Sequence, residues 1–133
     1  MTSKAEIQEF AELLAENLST GNLDQVISLF QYNGTLYETI GLLVKSEKMN
    51  VRIGITAVME ELLEAGLVNK KKAIENIQPL LKDQNPVVRG DAANLVGILG
   101  DMEHISLLEP LLKDENFQVV EVVEEAIEEI KEK

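Results

Sequence analysis

Cysteine and tryptophan are absent from this 133-residue chain, histidine occurs once, and aromatic residues make up only 4% of it. Without cysteine there is no disulfide, no thiolate metal ligand and no cysteine nucleophile. With three Phe and two Tyr the core must be built from Leu, Ile, Val and Ala, a set that suits close helix packing. Basic residues are also scarce, 12 against 24 acidic ones, and the net charge of -12 disfavours nucleic-acid backbones and anionic lipid. The expected partner is therefore another protein, basic or neutral, with neither nucleic acid nor membrane involved. No apolar run approaches the roughly 20 residues that span a bilayer, and the opening MTSKAEIQEF has no signal-peptide core. A cytoplasmic location and a single domain are expected.

What the chain does have is a repeat. Residues 77–99 (IQPLLKDQNPVVRGDAANLVGIL) and 108–130 (LEPLLKDENFQVVEVVEEAIEEI) match at an offset of 31, with seven of 23 positions identical. The identities include Pro79/Pro110, Lys82/Lys113, Asp83/Asp114, Asn85/Asn116 and Val88/Val119. A third copy lies upstream at an offset of 37, where Ile40, Leu43, Lys45, Val51, Arg52 and Leu62 match Ile77, Leu80, Lys82, Val88, Arg89 and Leu99. Fixed-period similarity marks stacked units, each burying its apolar face against its neighbours. Residues 1–34 show no such match and are expected to form an N-terminal capping hairpin, followed by units at 35–66, 67–100 and 101–133.

Start and stop signals give about eight helices in four antiparallel hairpins, an all-α chain. Ser3 with Glu6 reads as a capping box, and Asn22 as the cap of the second helix, which Asn33-Gly34 would end with a left-handed residue. Thr35 with Glu38 reads as another capping box. The fourth helix runs from about Asn50 to Ala65. Asn69 caps a fifth helix expected to end near Lys82, Asn85-Pro86 opens a sixth closed by Gly100, and Asp101 and Asn116 cap the last two.

The segment NPVVRGDAANLVGILGD at 85–101 resembles the second helix of HEAT repeats, in particular the short prokaryotic form found also in phycobilisome-lyase-type proteins. The resemblance covers residues 35–133 and implies a right-handed α-solenoid. It also implies that Arg52 and Arg89 pair adjacent repeats. Val120 stands at the equivalent place in the last unit, as expected if no further repeat follows. In this family the second helices line a concave side. Carried over residue by residue, that face comprises Ile53, Gly54, Ala57 and Glu61, then Gly90, Asp91, Asn94 and Ile98, then Glu121, Val122, Glu125 and Glu129.

No residues suggest catalysis. His104 is expected to be a surface histidine, since neither Asp101 nor Glu103 completes a metal-ligand spacing with it on one helix face, and the Ser and Thr residues form no nucleophile motif. Cofactors and metals are not expected. Gly97 reads as a close helix contact, while Gly54 and Gly90 are open to a functional role. Lys70, Lys71 and Lys72 read as a solvated run. In the last helix Val119, Val122, Val123, Ala126, Ile127 and Ile130 share one face, and six glutamates from Glu121 to Glu132 the other. Glutamates four apart repel, so this arrangement does not maximise stability.

The expected function is a non-enzymatic adaptor, scaffold or regulatory subunit, holding a basic amphipathic segment in a groove apolar in its middle and acidic at one end. Two alternatives are an accessory protein of the bilin-lyase type and a self-associating module, with exposed Ile53 and Ile98 marking the contact. A monomer or weak homodimer is expected.

Overall fold

The computed structural model describes residues 2–133. Among these there is no strand: the chain is eight α-helices linked by turns and short 3-10 segments. It divides into two compact units, residues up to Asn76 and Ile77–Lys133.

In the first unit, α1 (Lys4–Ser19), α2 (Leu23–Tyr32), α3 (Ile40–Val44) and α4 (Met49–Glu64) precede α5 (Lys70–Ile77), whose last residue belongs to the second unit. The Ser3/Glu6 capping box is present: Glu6 N–H donates to Ser3 Oγ at 3.2 Å and Ser3 N–H to Glu6 Oε1 at 3.5 Å. α1 and α2 both pack on α4, burying Leu14, Leu18, Val26, Ile55, Val58 and Leu62. Phe30 and Tyr37 meet edge to face at 5.1 Å, a geometry that aromatic quadrupoles favour. The Tyr37 hydroxyl accepts the Asn69 N–H at 2.9 Å, and Asn69 Oδ1 accepts Lys72 N–H at 3.1 Å, capping α5 as expected. Burial raises the Tyr37 phenol above its ordinary range, and the Asn69 bond pulls it part of the way back.

Three expectations about turns are overturned here. The Asn22 side chain does not cap α2; its amide donates instead to Asn17 Oδ1 at 2.8 Å. The left-handed residues are Gly21 (φ 79°) and Gly66 (φ 72°), and Gly34 is not among them. Gly21 and Gly66 reverse the chain after α1 and α4, where a Cβ would be strained. After α2 the chain enters a 3-10 segment, Gly34–Thr39, at once. Asn33 caps that segment by accepting Thr35 N–H at 3.1 Å, displacing the expected Thr35/Glu38 box.

The second unit begins with a 3-10 segment, Gln78–Lys82, and continues through α6 (Pro86–Leu99), α7 (Ile105–Leu108) and α8 (Phe117–Lys131). The fifth helix was expected to continue to about Lys82, but α5 ends at Ile77. Pro79 and Pro110 lack an N–H and crowd the carbonyl four residues back, so the backbone tightens into 3-10 turns at both repeats. Asn85 and Asn116 cap α6 and α8 as expected, accepting Val87 and Gln118 N–H at 2.9 Å each. α6 and α8 share the largest helix pairing of the unit. Val88, Ala92, Leu95 and Leu99 of α6 are buried, as are Val119, Val123, Ala126 and Ile130 of α8.

The repeat arginine has a clear structural role. Arg89 Nε and Nη2 grip both carboxylate oxygens of Asp114 at 2.8 and 3.0 Å, and Nη1 donates to Asp83 O at 2.8 Å. The two side chains are only 12% and 7% exposed. Asp114 also accepts Asn116 N–H at 2.9 Å. Arg89 and that amide hold its carboxyl below the usual carboxylate range against the opposing effect of burial. Arg52 makes the corresponding backbone contact in the first unit, donating to Ser46 O at 2.8 Å.

Candidate protein-binding face of α6 and α8

Three glycines lie within helices α4 and α6, and the surroundings of each differ. A Cβ on Gly97 would come to 2.8 Å from Ala126 Cβ and 2.9 Å from Ala126 Cα, so α6 and α8 touch backbone to side chain at this level. A Cβ on Gly54 would lie 3.1 to 3.2 Å from Leu18. Gly54 is buried beneath α1, which removes it from the expected exposed face. A Cβ on Gly90 would meet nothing within 4 Å. The helices are thus sealed at Gly97 and bare at Gly90, two turns earlier on the same helix.

Around Gly90 opens a trough of about 390 Å³. Five of the expected residues line it, Gly90, Asp91 and Asn94 from α6 with Val122 and Glu125 from α8. Val87 and Val119 add apolar surface, and Val87 is 52% exposed. Apolar surface is thus combined with the side-chain amides of Asn94, Asn116 and Gln118 and the carboxylates of Asp91 and Glu125. Such a surface suits an apolar side chain flanked by positive charge.

Glu125 also borders an acidic depression with Glu121, Glu124, Glu128, Glu129 and Glu132. Among the described residues none of these carboxylates forms an ion pair. The other expected positions are dispersed. Ile53 is 62% exposed on α4 with Glu61 exposed and Ala57 half-buried, all in the first unit. Ile98, expected to be exposed, is half-buried at the C-terminal end of α6. Lys133 covers that end, its Nζ donating to Ile98 O and Gly100 O at 2.7 Å each.

Val87 and Phe117 are among the exposed apolar residues missed in the sequence. They stand at the first turns of α6 and α8. Phe117 aligns with Pro86 at the 31-residue offset, and a large ring in place of a helix-starting proline was the signal available.

His104 also departs from expectation. It is half-buried, and its Nδ1 accepts the Asp101 N–H at 2.8 Å, closing the turn before α7. Because Asp101–His104 winds as a 3-10 turn, Asp101, Glu103 and His104 each bring a potential ligand atom within 4.8 Å of the others. A reading based on α-helical faces could not place them together. The Asp101 amide already uses one imidazole nitrogen, and the other lies 3.9 Å from Glu103.

No helix among the described residues is long and apolar enough to cross a membrane. Comparison with known families matches residues 39–128 to a model described as HEAT repeats. No curated protein matches the chain.

Proposed function

Because the chain belongs to the HEAT repeat family, we propose that it is a non-enzymatic adaptor or regulatory subunit that holds another protein on the exposed faces of its second helices. HEAT repeats are generally protein-interaction modules and typically non-enzymatic, and stacked repeats offer extended surfaces for a partner.

The observation that carries the reading is the trough between α6 and α8, apolar at Val87, Val119 and Val122 and edged by Asp91 and Glu125. Beside it lie glutamates that have no partner within the described chain. Like charges four apart on α8 lower helix stability by about 0.2 to 0.5 kcal/mol per pair. A basic amphipathic helix relieves that repulsion while burying its apolar stripe on the trough. Ile53, Ala57 and Glu61 on α4 give the first unit a similar pairing of apolar and acidic groups.

The reading is tested with a synthetic helix of Leu on one face and Lys on the other, monitored by fluorescence anisotropy. Binding should weaken steeply with added salt and be lost in the double variant Glu125→Lys/Glu129→Lys. Equal binding of a control helix carrying Glu in place of Lys would overturn it, as would an unaltered affinity in the double variant.

A further inference from the structure

The glycines of α6 say more about the partner than its charge. A glycine inside a helix is less favourable than alanine by about 1 kcal/mol. At Gly97 the structure supplies the reason, because Ala126 occupies the space a Cβ would need. At Gly90 the fold supplies none: the residue is helical, with no positive φ and no atom near the place of its missing Cβ. What the missing side chain leaves is a notch, walled by Val87 and Asn94 of α6 and by Val119 and Val122 of α8. Glu125 stands on α8 one turn beyond Val122, at the edge of the notch.

We propose that Gly90 is a specificity-determining position, and that the notch it leaves receives one large apolar side chain from a helix of a partner protein. This rests on the reading given under Proposed function and deepens it. A basic residue of the partner one turn from the anchor then meets Glu125, and further basic residues follow the acidic row toward Glu129 and Glu132. The arrangement is a knob in a hole, like a coiled-coil contact. Two helices meeting side by side would normally be separated by the side chains of both, and at Gly90 one of those side chains is missing. Val87, Val119 and Val122 give the anchor apolar contact, and the carboxylates select the sign of its neighbours.

The test uses two synthetic helices of about 18 residues, long enough for helix to be populated. Both are built of Ala and Lys, and they differ only in a central residue, Leu in one and Ala in the other. Against the unaltered protein, the Leu peptide should bind about tenfold or more tightly than the Ala peptide, as expected for seating one apolar side chain. In Gly90→Leu the protein's own side chain fills the notch, so the two peptides should bind alike, with the Leu peptide losing its advantage. Thermal melting of Gly90→Leu, and the milder Gly90→Ala, establishes that the variants are folded. Equal affinity of the two peptides for the unaltered protein overturns the notch and leaves the electrostatic reading in place. A Leu-over-Ala preference that persists in folded Gly90→Leu also overturns it. Failure of both peptides to bind the unaltered protein contradicts the basic-partner reading and the notch together.

Discussion

Gly90 and Gly97 lie on the same helix two turns apart, yet one faces open space and the other a neighbouring backbone. Gly97, packed against Ala126, and Arg89, clamped to Asp114, join consecutive repeats. Gly90 itself meets no neighbouring side chain at the place of its missing Cβ, and the trough around it is lined by Val87 and Val122, the amides of Asn94, Asn116 and Gln118, and the carboxylates of Asp91 and Glu125. One helix therefore does both jobs: where side chains are locked against the next repeat, substitution harms the fold, and where they are not, it alters what can bind. A surface built only for stability would fill Gly90 and alternate the charges on α8. This chain does neither.

The comparison is broken most forcefully at the sealed end. Gly97→Leu should destabilise the protein by about 3 kcal/mol, because α8 must move to admit the side chain and overpacking has few routes of relief. Chemical denaturation measures this, and a loss below that of Gly90→Leu would show that the two positions do not differ as described. Asp114→Ala comes next, at about 2 kcal/mol. It strands the Arg89 guanidinium and the Asn116 amide, and slight exposure of both side chains keeps the loss below that of a fully buried pair.

The same pair sets a pH dependence. Asp114 is held below its usual range when folded, so the unfolded chain takes up its proton first as pH falls. The stabilisation is full above the unfolded value of about 4 and is lost below it, as pH drops through the folded value. Thermal melts across pH 2 to 6 should show a shallower acid decline in Asp114→Ala than in the unaltered protein.

At the bare end the sign reverses. Gly90→Ala should raise stability by about 0.5 to 1 kcal/mol, from helix propensity with no clash to oppose it. A decrease in melting temperature would mean that the space at Gly90 is not free. The smallest effect is expected from Glu132→Gln, which removes the single repulsive pair that Glu132 makes four residues back, with Glu128. The gain should be about 0.2 to 0.5 kcal/mol and should shrink in high salt.

Much of the scaffold was legible because its signals are local. Asn69, Asn85 and Asn116 each sit within three residues of the amide they cap, whereas Asp114 was visible only as the echo of Asp83, and its grip on Arg89, 25 residues away in sequence, was not anticipated. Pro79 and Pro110 were visible too, but their tightening of the backbone into 3-10 turns was not anticipated. Gly21, Gly34 and Gly66 all follow helices, and only the path beyond each decides whether it adopts positive φ. At Gly34 that path is a 3-10 segment capped by Asn33. The candidate face was half legible. The resemblance to HEAT repeats implied that Gly90, Asp91, Asn94, Val122 and Glu125 share a face, and these five line one trough. Gly54 failed because its neighbour, Leu18, comes from a helix far away in sequence. Ile98 failed because the helix turns it partly inward just before its end.

The central claim is that the face around Gly90 is the working surface of this chain. Its most direct test is a heteronuclear NMR titration of the isotope-labelled protein with the Leu-bearing basic helix. The account predicts that the backbone amides of Gly90, Asn94, Val122 and Glu125 shift most. Shifts centred instead on Leu81, Ser106, Leu107 and Leu111, which line a separate apolar depression in the same unit, would contradict it.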